Sequence, residues 1–136
     1  ILSATVIAAE LGDLTRFKTA RQLMAFLGLV PSESSSGNSV KRGPLTKTGN
    51  AHVRRILIEA VQHYRHRPVL SAALRKRQEG ISKEVRDISW EAQQRLCNRL
   101  THFINSGKPR NKAIVALARE LAGFIWSLGQ VSHLMA

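Results

Sequence analysis

Cysteine, aromatic and acidic residues are all scarce in this chain. A single cysteine, Cys97, stands among 136 residues, so no disulfide can close within it. One Cys and five scattered His give no zinc-ligand spacing. Cys97 falls inside a helical pattern, where a thiol behaves as a small buried hydrophobe. Phe, Trp and Tyr make up 5% of the residues, which leaves little for the stacking platforms of single-strand nucleic-acid binders. No carboxylate cluster offers a divalent-cation site, so no metal and no other cofactor is expected here. No charged-then-apolar signal segment opens the chain, and no apolar run approaches the roughly 20 residues that span a bilayer. The expectation is a cytoplasmic protein without a membrane partner. Ile1 is not an initiator residue, so a longer parent protein is expected.

What is present is positive charge. Lys and Arg number 21 against 9 Asp and Glu, a net charge of +12. The excess is uneven: between Ser34 and Gln78 ten cations face one acid, Glu59. A clustered excess of this kind is the electrostatic footprint of a phosphate backbone as partner. The plain alternative is a surface made basic for solubility, which does not explain why acids are missing from one stretch. Apolar residues make up 43%, enough for a core, and the length suits one domain, 1–136. The loop near Pro68 divides it into halves 1–67 and 68–136.

The periodicity predicts an all-α fold. Ser3–Leu11 reads as a helix closed by Gly12, with Asp13 and Thr15 turning the chain and Phe17 anchoring it. Thr19 caps a second helix, Ala20–Leu27, with Leu23, Met24, Phe26 and Leu27 as its apolar side; Gly28 and Pro31 end it. The pair resembles a helix-hairpin-helix, a motif that grips DNA backbones. Asn50 caps a helix from Ala51 to about His66, whose core face is Val53, Leu57, Ala60, Val61 and Tyr64, helped by Ile56. Pro68 breaks it, and Leu70–Gln78 forms a short basic helix closed by Gly80. Ser82 caps a longer helix to about Asn105, with Val85, Ile88, Ala92, Leu96, Leu100, Phe103 and Ile104 as its stripe. Trp90 lies off that stripe and reads as packing or interface rather than as a base contact. The last helix runs from Asn111 to about Leu128, with Trp126 filling a gap beside its core face. These two longer helices are expected to pack antiparallel.

The stretch from Gly28 to Arg55 joins two of these helices and holds the candidate site. Ser34, Ser35 and Ser36 precede Gly37, and Lys41, Arg42, Thr46, Lys47 and Gly49 follow. Ser, Asn and Gly favour turns, so a surface loop is expected. Gly43 and Pro44 speak against a strand between Val40 and Leu45. The N-terminus of the helix after Asn50 carries partial positive charge and free N–H groups, and with Lys47, Arg54 and Arg55 it forms a phosphate cradle.

Several linked motifs carry a resemblance. They are Gly12-Asp13 with Arg16-Phe17; Gly28-Leu29-x-Pro31; Ser36-Gly37; Thr46-Lys47-x-Gly49-Asn50; and an Arg on the next helix. The segment Lys112 to Ala122 resembles a closing helix. Together they resemble the C-terminal domain of the insertion-sequence 110/116/902 transposases over nearly the whole chain. The resemblance implies a bacterial, nucleoid-associated recombinase acting on DNA under an element-encoded guide RNA, and a homo-oligomer that brings DNA ends together. It also implies an N-terminal ribonuclease-H-like domain, absent here, whose acidic site binds Mg2+.

In that reading a serine of this chain attacks DNA phosphorus. A covalent phosphoryl-enzyme link conserves phosphodiester energy during strand exchange, and a serine hydroxyl is a suitable nucleophile once activated. Motif position selects Ser36, with Ser35 second. Lys41, Arg42, Thr46, Lys47, Asn50, Arg54 and Arg55 are the expected nucleic-acid contacts. Two alternatives stay open: a helical clamp for DNA or RNA backbones with no chemistry, and a basic ribosomal or chromatin-type protein in which the Ser-Gly loop is incidental.

Overall fold

The computed structural model describes the backbone of residues 2–36, 39–45 and 49–134, and the side chains of 7–30 and 49–131. Among the described residues six α-helices build the body: α1 (Leu2–Leu11), α2 (Ala20–Phe26), α3 (Ala51–Val61), α4 (Ala72–Arg77), α5 (Lys83–Asn105) and α6 (Arg110–Leu134). Short 3-10 turns follow α1, at Leu14–Arg16, and α3, at Gln62–Arg65. The helical class expected from periodicity holds for every element of the core.

The helix ends follow from their capping chemistry. Thr19, Asn50 and Ser82 each accept a hydrogen bond from the backbone N–H three residues on, satisfying a donor the helix leaves open. Ser71 does the same for α4, a cap the sequence reading overlooked. Past α2, Gly28 takes φ 69°, its N–H donates to the Ala25 carbonyl, and the Leu29 N–H donates to the Met24 carbonyl. That bond pair is a Schellman motif, and it turns Leu29 into the core, where it is fully buried.

Leu23, Leu27, Leu29, Val53, Leu57, Val61, Leu96 and Leu117 form the fully buried centre. Burying each such side chain contributes about 1.5–3 kcal/mol relative to exposure. α6 is the hub, packed by α2, α3 and α5. α5 and α6 are antiparallel: Arg95 and Arg99 both reach Glu120, and Ile104 and Ala113 line one concavity near the α5–α6 turn. Phe17 anchors as expected, 8% exposed, and Arg16 stacks its guanidinium over the Phe17 and Phe26 rings. The far half of α6 holds that turn: Trp126 Nε1 donates to the Phe17 carbonyl at 2.8 Å and Gln130 Nε2 to the Leu14 carbonyl at 3.1 Å. Cys97 is the buried thiol expected, its Sγ donating to the His66 carbonyl.

Four expectations need correcting. Ile104, placed on the core stripe of α5, is 62% exposed, because the stripe leaves the contact with α6 where α5 ends. The region from Arg110 to Val131 is long and apolar enough to cross a membrane by length and composition, although its few charges hid that run in the sequence. Phe26, placed on the apolar side of α2, is 36% exposed, because its ring lies against Phe17 and the Arg16 guanidinium instead of in the core. Among the described residues α1 packs mainly on α3 and α2 on α6. The expected loop contains a β-hairpin: β1 (Pro31–Ser36) pairs antiparallel with β2 (Ser39–Leu45). Pro31 opposes Leu45 and Glu33 opposes Arg42, so Gly43 and Pro44 together face Ser32. The glycine and proline that argued against a strand therefore sit in a bulge, where a missing N–H is tolerated.

Candidate nucleic-acid interface

A two-stranded hairpin is marginal alone, so its anchorage matters. On one side β1 follows directly from buried Leu29. On the other, Gly49 has φ +81°, and a Cβ built there would lie 1.7 Å from the Phe26 carbonyl oxygen. Only glycine allows the strand to return this close to the end of α2. Arg54 tightens the same junction, its Nη1 donating to the Leu27 carbonyl at 3.0 Å. The residues before β1 and after β2 are thus held at one place, the meeting of α2 and α3.

Ser36 ends β1 and pairs with Ser39; Ser35 pairs with Val40. Lys41 stands opposite Ser34, two residues or about 7 Å along the ladder from Ser36. Arg42 stands opposite Glu33, an acid just outside the Ser34–Gln78 stretch, and so has an acidic residue as its ladder neighbour. Gly37, Thr46 and Lys47 lie outside the described residues.

The cradle at the start of α3 is already occupied by the fold. Asn50 Oδ1 accepts from the Val53 N–H at 3.0 Å, and its Nδ2 donates to Glu10 Oε2. Glu10 Oε1 meets His52 Nδ1 in the first turn of α3. The hydrogen bond from Asn50, then that from His52, holds the Glu10 carboxyl below its ordinary value of 4.5. A carboxylate at a helix N-terminus is favoured by the macrodipole, which is the role the sequence reading gave to a phosphate. Glu10 lies 40 residues from Asn50, and no local pattern could have signalled the pairing. Of the residues expected to contact nucleic acid, Asn50 and Arg54 are therefore engaged in holding the fold, while Arg55 is exposed with no protein partner among the described residues.

The exposed charge extends further. Arg55, Arg65, Arg67, Arg75, Lys76 and Arg77 are all exposed. Among the described residues none of them meets a carboxylate; the ion pairs join His52 to Glu10, Lys83 to Asp87, and Arg95 and Arg99 to Glu120. No three His, Cys, Asp or Glu among the described residues stand close enough to hold a metal ion.

Comparison with known proteins decides the family. The model of the Transposase IS116/IS110/IS902 family matches residues 1–75. The chain belongs to that family. Transposase y4qE of Sinorhizobium fredii is 42% identical over 130 residues, covering 96% of this chain and 33% of that protein. The transposase for insertion sequence element IS1111A of Coxiella burnetii is 32% identical over 127 residues, covering 93% of this chain and 29% of that protein. The chain thus spans about a third of the length of these curated relatives. No solved structure matches it. Three residues of the motifs that carry the resemblance have physical roles in the fold. Gly28 terminates α2, Gly49 permits the close return to it, and Asn50 caps α3.

Proposed function

We propose that this chain is the DNA-handling part of an insertion-sequence transposase, with Ser36 as nucleophile and Ser35 as the second candidate. The observation that carries the DNA-binding part is the set of exposed, carboxylate-free cations from Arg55 to Arg77 on a chain of net charge +12. A field of this kind attracts polyphosphate and adds affinity for each phosphate it neutralises. The family membership and the names of the relatives support transposition as the setting. In the chemical step the serine Oγ bonds to phosphorus and the bond from phosphorus to the leaving sugar oxygen breaks. The serine proton passes to a base and the leaving oxygen takes up a proton. The phosphoserine ester keeps the bond energy until the new strand end attacks. Lys41, Arg42, Lys47 and Arg55 are the cations assigned to the developing charge. Guide RNA, a homo-oligomer, a cytoplasmic location and an acidic domain outside this chain that supplies Mg2+ belong to the same proposal.

The test is Ser36→Ala and Ser35→Ala in the full-length transposase that carries this chain. Ser36→Ala is expected to abolish strand cleavage and transfer, with DNA affinity within about twofold of the parent. A second reading has its own support, because the exposed cations run on to α4, well past the hairpin in sequence. A backbone clamp without chemistry accounts for them. Unimpaired strand transfer in both serine variants would favour that reading.

A further inference from the structure

Two aromatic residues lie outside the core among the described residues, Phe26 and Trp90. Phe17, Phe103, Tyr64, Phe124 and Trp126 belong to the core or pack against it, and Phe26 lies against Phe17 and Arg16, whereas Trp90 has no ring or cation partner among the described residues. It is half-buried, and its indole N–H meets no protein acceptor among the described residues, unlike that of Trp126. The ring lines a groove of about 430 Å³ between the end of α3, the Pro68–Leu70 segment, α4 and α5. His63, His66 and Arg67 form one side of it. The ring also lines an adjoining groove with Leu70, Gln78, Lys83 and Arg86. Asp87 is the acid there, and it pairs with Lys83 at 3.5 Å.

We propose that this groove seats an unpaired nucleotide of a bound nucleic acid, its base against the Trp90 ring and its phosphates near Arg67 and Arg86. The inference rests on the nucleic-acid reading above and names a place and a strand state that reading leaves open. The ingredients are those single strands require: an aromatic face, a free hydrogen-bond donor at its edge and cations on both flanks. A concavity of this size lies within the ~300–1,000 Å³ range of ligand sites. A duplex keeps its bases stacked inside and cannot offer one to the ring, so the groove discriminates strand state rather than sequence.

Tryptophan emission reads the proposal directly, since the only other Trp, Trp126, is bonded to the Phe17 carbonyl. The 136-residue chain is titrated with oligo(dT), oligo(rU) and a DNA duplex at fixed salt. Both single strands are expected to quench the emission, and the two arms compare DNA with RNA as its source. Trp90→Phe should remove the quench while keeping most single-strand affinity. Trp90→Ala should lose on the order of 5- to 100-fold in single-strand affinity, with duplex affinity unchanged. Arg67→Gln with Arg86→Gln, which leaves the ring in place, should lower the salt slope for single strands by about 1.4. Unchanged emission at saturating oligonucleotide, or wild-type single-strand affinity in Trp90→Ala, overturns the assignment. Intact duplex binding in that case leaves the DNA-handling reading standing. Failure to bind all three probes removes both.

Discussion

Replacing Gly49 with alanine tests the junction that carries the hairpin. The new Cβ would lie 1.7 Å from the Phe26 carbonyl oxygen and 2.9 Å from its carbon. An ordinary C···O contact is about 3.3 Å, so the backbones must part by about 1.6 Å. The α2 end resists that movement, because the two bonds around Gly28 and the Arg54 bond to Leu27 hold it. Two costs therefore add: about 1–2 kcal/mol for alanine in left-handed backbone, and about 1–3 kcal/mol for the forced displacement. Their sum of ~2–5 kcal/mol corresponds to a fall in Tm of about 8–20 °C for a domain this long. Gly12→Ala is the internal control: φ is +62°, but nothing lies within 4 Å of the added Cβ. It should cost only the conformational part, about 4–8 °C by the same scaling. The assay is thermal unfolding followed by circular dichroism at low protein concentration. Equal losses in the two variants would refute the close approach of Gly49 to α2, and with it this account of how the hairpin is anchored.

Adjacent arginines on α3 should separate structure from binding. Arg54→Met loses a charged hydrogen bond to Leu27 at a half-buried site and should lower Tm by about 6–12 °C. Arg55→Ala should leave Tm within about 2 °C and instead lower the salt slope of DNA binding by about one. The Glu10 carboxyl is held below 4.5, so its contribution is fully present above that value and is lost as pH falls through its lowered folded value. Tm measured from neutral pH downward should show Glu10→Gln less stable than the parent above 4.5, with the gap closing below it.

How far the fold could be read from the sequence depends on how local the information is. Caps and glycines at helix ends act within a few residues, so Thr19, Asn50, Ser82 and Gly28 could be placed from the chain alone. Apolar spacing found buried Leu23 and Leu27 at α2 and Val53, Leu57 and Val61 on α3 for the same reason. It failed at Phe26, and at Ile104, where periodicity continues but the neighbouring helix does not. The hairpin was missed because Gly43 and Pro44 are strand breakers in isolation and are accommodated only in a bulge whose register another strand sets. In the candidate site, exposed Arg55 and half-buried Arg54 are one position apart on a helix and were indistinguishable by residue type.

Composition and motif order by themselves determined the helical class, the basic character and the family, since each follows from residue type and near-neighbour spacing. Only the tertiary structure decided which charges are available. It brought Glu10 across 40 residues to Asn50, set Arg54 on the Leu27 carbonyl, and left the cations from Arg55 to Arg77 without carboxylates among the described residues. Whether a charge is free depends on what the fold places within a few ångströms of it, and sequence separation carries no record of that distance.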